Sequence, residues 1–250
     1  MSLLLWPLAF IVGIILALFG AGGGMTTVPL LIYFGDIPVK EAIAMSLWVV
    51  AGVSLTAIIH QRAWKVLHMK LLITFGISGI IGSLAGAGIG IMIAEQLQSL
   101  LFAALLVVVS IWLLLKKTEP TPTENKKKTF NYLLAAVVGI TIGALTGVLG
   151  VGGGFLLVPA LIWLGISQMP ITVAHSLVLI ILNSVVAGTR YAEAIEIDVM
   201  LTVGVVIAAS LGAIVGGVLL KKIPQKHLHK GFAYTLLVLG ITMGIRVSLL

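Results

Sequence analysis

The 250-residue chain contains no cysteine, which excludes disulfides, thiol catalysis and thiolate metal sites. Charge is scarce as well: 9% of residues are charged and only eight are acidic, against about 25% charged in soluble domains. With 60% hydrophobic residues, such a chain cannot hide its apolar surface in a water-soluble fold, so it belongs in a bilayer. The first 24 residues carry no Lys or Arg, so the positive segment of a cleavable signal peptide is missing and the N-terminus is expected to be retained. No acid or lysine lies near the centre of an apolar span. A proton relay through a buried carboxylate, an integral-membrane enzyme and a tightly bound cofactor are therefore not expected. The formal charge of +7 comes from basic residues in short loops between spans, where membrane topology accounts for them without nucleic acid.

What is present is a duplication. The segment from Gly20 to Gly35 returns 130 positions later as Gly150 to Gly165, with nine of sixteen positions identical. Chance would give roughly one or two in so restricted a composition. The offset persists beyond the glycines: Ala44, Ser46 and Leu47 match Ala174, Ser176 and Leu177, Gly82 and Gly86 match Gly212 and Gly216, and Phe102-Ala103 matches Phe232-Ala233.

Six segments are long enough to cross the hydrocarbon core: 42–60, 70–93, 97–115, 173–189, 198–220 and 231–249. Before each set of three lies a longer apolar stretch, 3–35 and 130–165, cut by a glycine cluster and expected to form a helical hairpin. Three segments hold 12 of the 15 basic residues: the loop with Arg62, Lys65 and Lys70, the linker with Lys116, Lys117 and Lys126 to Lys128, and the loop with Lys221, Lys222, Lys226 and Lys230. Asp36, Glu41, Glu95, Glu193, Glu196 and Asp198 fall in the alternate loops. All basic segments reach one side only if each hairpin enters and leaves by one face. Each half then makes an odd number of passes. The expected fold is an all-α integral membrane protein of two inverted repeats, 1–115 and 129–250, each a glycine-broken hairpin followed by three transmembrane helices. The segment 116–128 is the expected cytoplasmic linker, and both termini are expected outside.

A helix that starts at depth directs unpaired N–H groups and about half a positive charge at the break, which favours an anion. The candidate ligands are accordingly the backbone of Gly22, Gly23, Gly24 and Met25 and of Gly152, Gly153, Gly154 and Phe155, with Thr26 or Thr27 as a cap in the first copy only. Pro29 and Pro159 suit the first turn of the new helices. The next helix of each half adds Ser46 and Ser176 at equivalent positions, His175 beside the latter, and Asn183 with Ser184 opposite Val53 with Ser54. The competing account of the glycines is close helix packing. It applies most directly to Gly82, Gly86 and Gly90 and to Gly212 and Gly216, whether between halves or between protomers of a homodimer. Trp6, Trp48, Trp64, Trp112 and Trp163 fit an interfacial belt.

The doubled Gly-x-Gly-Gly-Gly-x-x-x-Val-Pro-x-Leu-Ile, followed in each copy by Ala-x-Ser-Leu, resembles the TauE/SafE family of membrane permeases over nearly the whole chain. The family motif falls on Gly20, Gly22, Gly23, Gly24 and Pro29 and on Gly150, Gly152, Gly153, Gly154 and Pro159. A basic-aromatic loop like the family's stands at Arg62-Ala63-Trp64-Lys65, whereas the second half has Tyr191-Ala192-Glu193-Ala194. The resemblance implies a multi-pass protein of the prokaryotic inner membrane that moves a sulfur-containing anion such as sulfite or an organosulfonate like sulfoacetate. The alternatives are an anion channel on the same scaffold, and a membrane assembly or receptor protein whose glycines are purely structural.

Overall fold

The structure, a computed structural model, describes residues 4–19, 24–61, 63–115, 132–164, 169–219 and 225–248. Inside lipid every backbone N–H and C=O must be satisfied within the chain, so the apolar stretches become helices even where glycine is frequent. The described residues form α1 (Leu5–Phe19), α2 (Gly24–Gly35), α3 (Val39–Gln61), α4 (Met69–Met92), α5 (Glu95–Leu115), α6 (Tyr132–Leu149), α7 (Gly154–Trp163), α8 (Met169–Ala192), α9 (Val199–Leu219) and α10 (Gln225–Ser248), with a 3-10 turn at Ala63–Val66. Six of these helices are long and apolar enough to cross a membrane, and the chain is an all-α integral membrane protein. Five of the expected spans are among these six, as α3, α4, α5, α8 and α9; the sixth is α6, and the span expected at 231–249 is present as α10, whose apolar part Ala233–Ile245 is shorter.

Both broken stretches fold back on themselves. The end of α2 returns to the start of α1, where Gly35 lies next to Ile37 and Leu5. The end of α7, through Leu161 and Leu164, clusters with Ala135 in the first turn of α6. α6 is long enough to span the bilayer, yet its partner α7 carries the chain back to the side from which α6 came.

The described acidic residues gather at one end of the bundle. One end gathers the starts of α3, α5 and α9 and the ends of α4 and α8: Lys40 Nζ donates to the Ile91 carbonyl at 2.7 Å, and Glu41 Oε1 accepts from Asp198 N at 3.3 Å. We call this the acidic face. At the other end, the basic face, the start of α8 meets the loop before α4, and the end of α3 meets α9 where His60 lies beside Gly217.

The packing repeats with the offset of the sequence. α4 lies on α6 and α8, and its counterpart α9 lies on α1 and α3. The equivalent helices α3 and α8 pass each other antiparallel: Leu47 and Trp48 meet Gly188, while Ala57 and Ile58 cluster with Ala174 and Leu177. α5 and α10 also run antiparallel, with Ser110 Oγ donating to the Ala233 carbonyl at 2.7 Å and Ala103 against Gly240 and Gly244.

Small residues set these contacts. A methyl on Gly82 or Gly86 of α4 would overlap the carbonyls of Ile140 and Ala144 on α6. On α9, a methyl at Gly212 would overlap the Phe10 carbonyl of α1, and one at Gly216 would press on the Ile14 carbonyl. The glycine series therefore joins the first half to the second within one chain, which decides between the two packing options left open by the sequence. The first helix of each hairpin is clasped by the other half, so the halves interlock.

Candidate functional site

Each hairpin tip is a place where an α-helix stops in apolar surroundings and another begins. In the second copy Gly150, Gly152 and Gly153 take φ of 68°, 70° and 66°, a left-handed conformation that side chains resist. Gly153 occupies the position before α7 without a side chain to cap it. The first turn of α7 thus presents N–H groups that no side chain of the capping residue satisfies. Thr146 donates to the Ile142 carbonyl at 2.9 Å and stands where a methyl on Gly153 would go.

The α3 helix forms one wall of this break. Its residues Ile43, Ser46 and Val50 recur at helical spacing and face Gly150 and Gly152. Ser46 Oγ is shared between the Ile43 carbonyl at 2.7 Å and the Gly150 carbonyl at 2.8 Å, tying the break to α3. Gly152 is squeezed between Val50 and Ile180, residues that are themselves 130 positions apart. Gly24, the first residue of α2, approaches so closely that a methyl there would overlap the Val151 carbonyl and come within 3.1 Å of Val50 Cγ2. The start of one broken helix therefore touches the break of the other, and Gly24, Met25, Gly152, Gly153 and Gly154 are all buried.

Gly22 and Gly23 lie outside the described residues, as do the linker 116–128 and the side chain of Phe155. Two readings of the first copy need correction. Thr26 and Thr27 are the third and fourth residues of α2, buried within its first turn rather than preceding it as caps. Pro29 is the sixth residue of α2, past the first turn; lacking an N–H, it cannot bond the Met25 carbonyl four residues back.

The fold, the glycine breaks and their mutual contact can be set against known proteins. The family model described as Sulfite exporter TauE/SafE matches residues 5–243. The chain belongs to the TauE/SafE family. It is 27% identical to the probable membrane transporter protein YunE of Bacillus subtilis, over 93% of each chain. It is 30% identical to the probable membrane transporter protein MJ0441 of Methanocaldococcus jannaschii, over 96% of each, and 28% identical to YdhB of Bacillus subtilis, a probable membrane transporter protein, over 94% of this chain and 96% of that one. No solved structure matches it.

The remaining candidates of this TauE/SafE chain separate by their partners. Ser176, the counterpart of Ser46, donates to the Val173 carbonyl of its own helix at 2.9 Å. His175 is fully buried and uses both ring nitrogens: Nδ1 lies 2.6 Å from the Ile171 carbonyl and Nε2 accepts from His68 N at 2.8 Å. A carbonyl on one nitrogen and an N–H on the other describe a neutral ring with its proton on Nδ1. This bond ties the start of α8 to the start of α4, and the His68 ring stacks on the His175 ring with centroids 5.6 Å apart. Asn183 is 1% exposed and lies against Gly79 of α4, with Oδ1 unpartnered.

Two features escaped the sequence reading. Trp48 is half-buried near the middle of α3, its pyrrole edge over Gly188 and its Nε1 buried, rather than in an interfacial belt. Gln98, 0% exposed in the first turn of α5, donates to Tyr191 Oη at 2.9 Å and to the Val148 carbonyl just before the second break. A lone glutamine near a span end carries no signal for such a contact.

Proposed function

We propose that the chain is an alternating-access carrier for a small sulfur-containing anion such as sulfite or a sulfoacetate-like organosulfonate. The anion binds at the junction of the two breaks, held by the backbone N–H groups of Gly22 to Met25 and of Gly152 to Phe155, with Ser46, Ser176 and Asn183 around it. The observation that carries this reading is the contact of Gly24 with Val151. It brings the starts of α2 and α7 together in the interior, in a region without a single carboxylate to repel an anion. Sulfur as the central atom rests on family membership alone.

The two copies are inverted repeats, 1–115 and 129–250, joined by a cytoplasmic linker at 116–128. The antiparallel passage of α3 by α8 and of α5 by α10 supports this, because each pair consists of equivalent helices. The basic face then lies in the cytoplasm and both termini outside the inner membrane. Rocking of one half against the other would open the junction to one side at a time, and no chemistry on the substrate is involved. The close-packing glycines are already engaged within the chain, which removes the sequence argument for a homodimer.

Purified protein in proteoliposomes tests the reading. Saturable flux of labelled sulfite or sulfoacetate is expected, and absence of saturable flux for any oxyanion would refute it.

A further inference from the structure

Within α3 and α8 the hydroxyl residues stand in a repeated register: Ser46, Val50 and Ser54 on one, Ser176, Ile180 and Ser184 on the other, each spaced by four. Several buried hydroxyls of the bundle bond back to a carbonyl three or four residues earlier, as Ser46, Ser78, Ser83, Thr146 and Ser176 do. That satisfaction is available to any serine in a helix. Ser54 and Ser184 do not take it: both are 0% exposed, and both hydroxyls are without a partner. The indole Nε1 of Trp48 is a third buried group without one.

Their positions are ordered by the Val50–Ile180 pair, whose side chains meet at Gly152. Side chains in a helix lean toward its N-terminus, so Ser184 leans over Ile180 and Ser54 over Val50. Because α3 and α8 are antiparallel, Ser184 falls on the acidic-face side of the pair and Ser54 on the basic-face side. Trp48 joins Ser184, since its pyrrole edge covers Gly188, one turn farther along the same face of α8. Four residues of helix rise about 6 Å, so the two serines stand about 12 Å apart along the helices. A sulfite-sized anion cannot touch both at once.

We infer that Ser54 and Ser184 belong to two separate anion stations, one on each side of the Val50–Ile180 pair, with Trp48 Nε1 as a second donor at the Ser184 station. Each station serves one access state: the anion passes the apolar pair when the halves rock, leaving one unpaired hydroxyl for the other. This inference rests on the anion-carrier reading and adds to it where the anion stops. It also gives the absence of back-bonding a cause, since a buried donor left without a partner is costly unless a ligand satisfies it.

The test is binding and sided transport by the full chain. Sulfite, sulfoacetate, sulfate and phosphate are titrated onto the purified protein, and half-saturation is then measured from each face in oriented proteoliposomes. Trp48→Phe and Ser184→Ala, which each remove a donor and nearly keep the shape, are expected to raise half-saturation about tenfold or more at the acidic face only. Ser54→Ala is expected to do so at the basic face only, and none of the three variants should melt more than about 2 °C below the parent. If sulfite or sulfoacetate is carried but the variants match the parent, or change both faces equally, the stations are overturned and the carrier reading stands. If only phosphate or sulfate binds and the sided pattern appears, the stations stand and the organosulfur substrate falls. If no oxyanion binds, both fall.

Discussion

Gly24 begins α2 directly against the carbonyl of Val151, a residue from the opposite half of the duplication. One glycine thus lets the two interrupted helices of the chain meet. Gly24→Ala would drive a methyl into that carbonyl. The variant is expected to lose about 1–3 kcal/mol of stability and most of its flux, measured by thermal unfolding in detergent and by proteoliposome uptake.

The interlocking of the halves gives a graded series. Gly86→Ala and Gly143→Ala place methyls on the carbonyls of Ala144 and Gly79 and should destabilise the protein by a similar amount. Gly88→Ala, in the same α4 helix, meets nothing within 4 Å. It should be neutral or stabilising by up to about 1 kcal/mol, because alanine is the better helix former. Unfolding midpoints of the three variants check the order.

The Ser46 hydroxyl ties α3 to the second break through the Gly150 carbonyl. Ser46→Ala is expected to cost about 0.6 kcal/mol, the average for a side-chain hydrogen bond inside a membrane protein, and at most about 1.7 kcal/mol, and to slow transport by loosening Gly150. Ser176→Ala should cost less, because its hydroxyl bonds only its own helix. Parallel unfolding and flux assays separate the two.

His175→Ala leaves the His68 N–H without its acceptor and the joint between α8 and α4 without its clasp. The expected result is lower stability with unchanged half-saturation for the anion. A change in half-saturation at constant stability would return His175 to the binding site.

The hairpins, five of the six spans and the gathering of the described acidic residues at one end were legible because each has a one-dimensional cause: glycine runs inside apolar sequence, span length, and the placement of charge. The repeat at 130 positions even paired Ser54 with Ser184. What stayed hidden depends on which helices become neighbours. Gly82 and Gly212 read as close-packing residues, but only the fold assigns their partners, Ile140 and Phe10. Trp48 resembles an interfacial tryptophan until Gly188 of α8 is placed beneath it. The two backbone partners of His175, Ile171 and His68, cannot be recognised from sequence.

The absence of cysteine makes one measurement especially direct, since a single introduced thiol is the only reactive one. Val151→Cys places it at the junction of the two breaks, where Val151 is 2% exposed. Its modification by a negatively charged methanethiosulfonate should be slowed severalfold by sulfoacetate, with half-protection near the half-saturation of transport. A modification rate indifferent to sulfoacetate, in protein that transports it, would contradict an anion held between the broken helices.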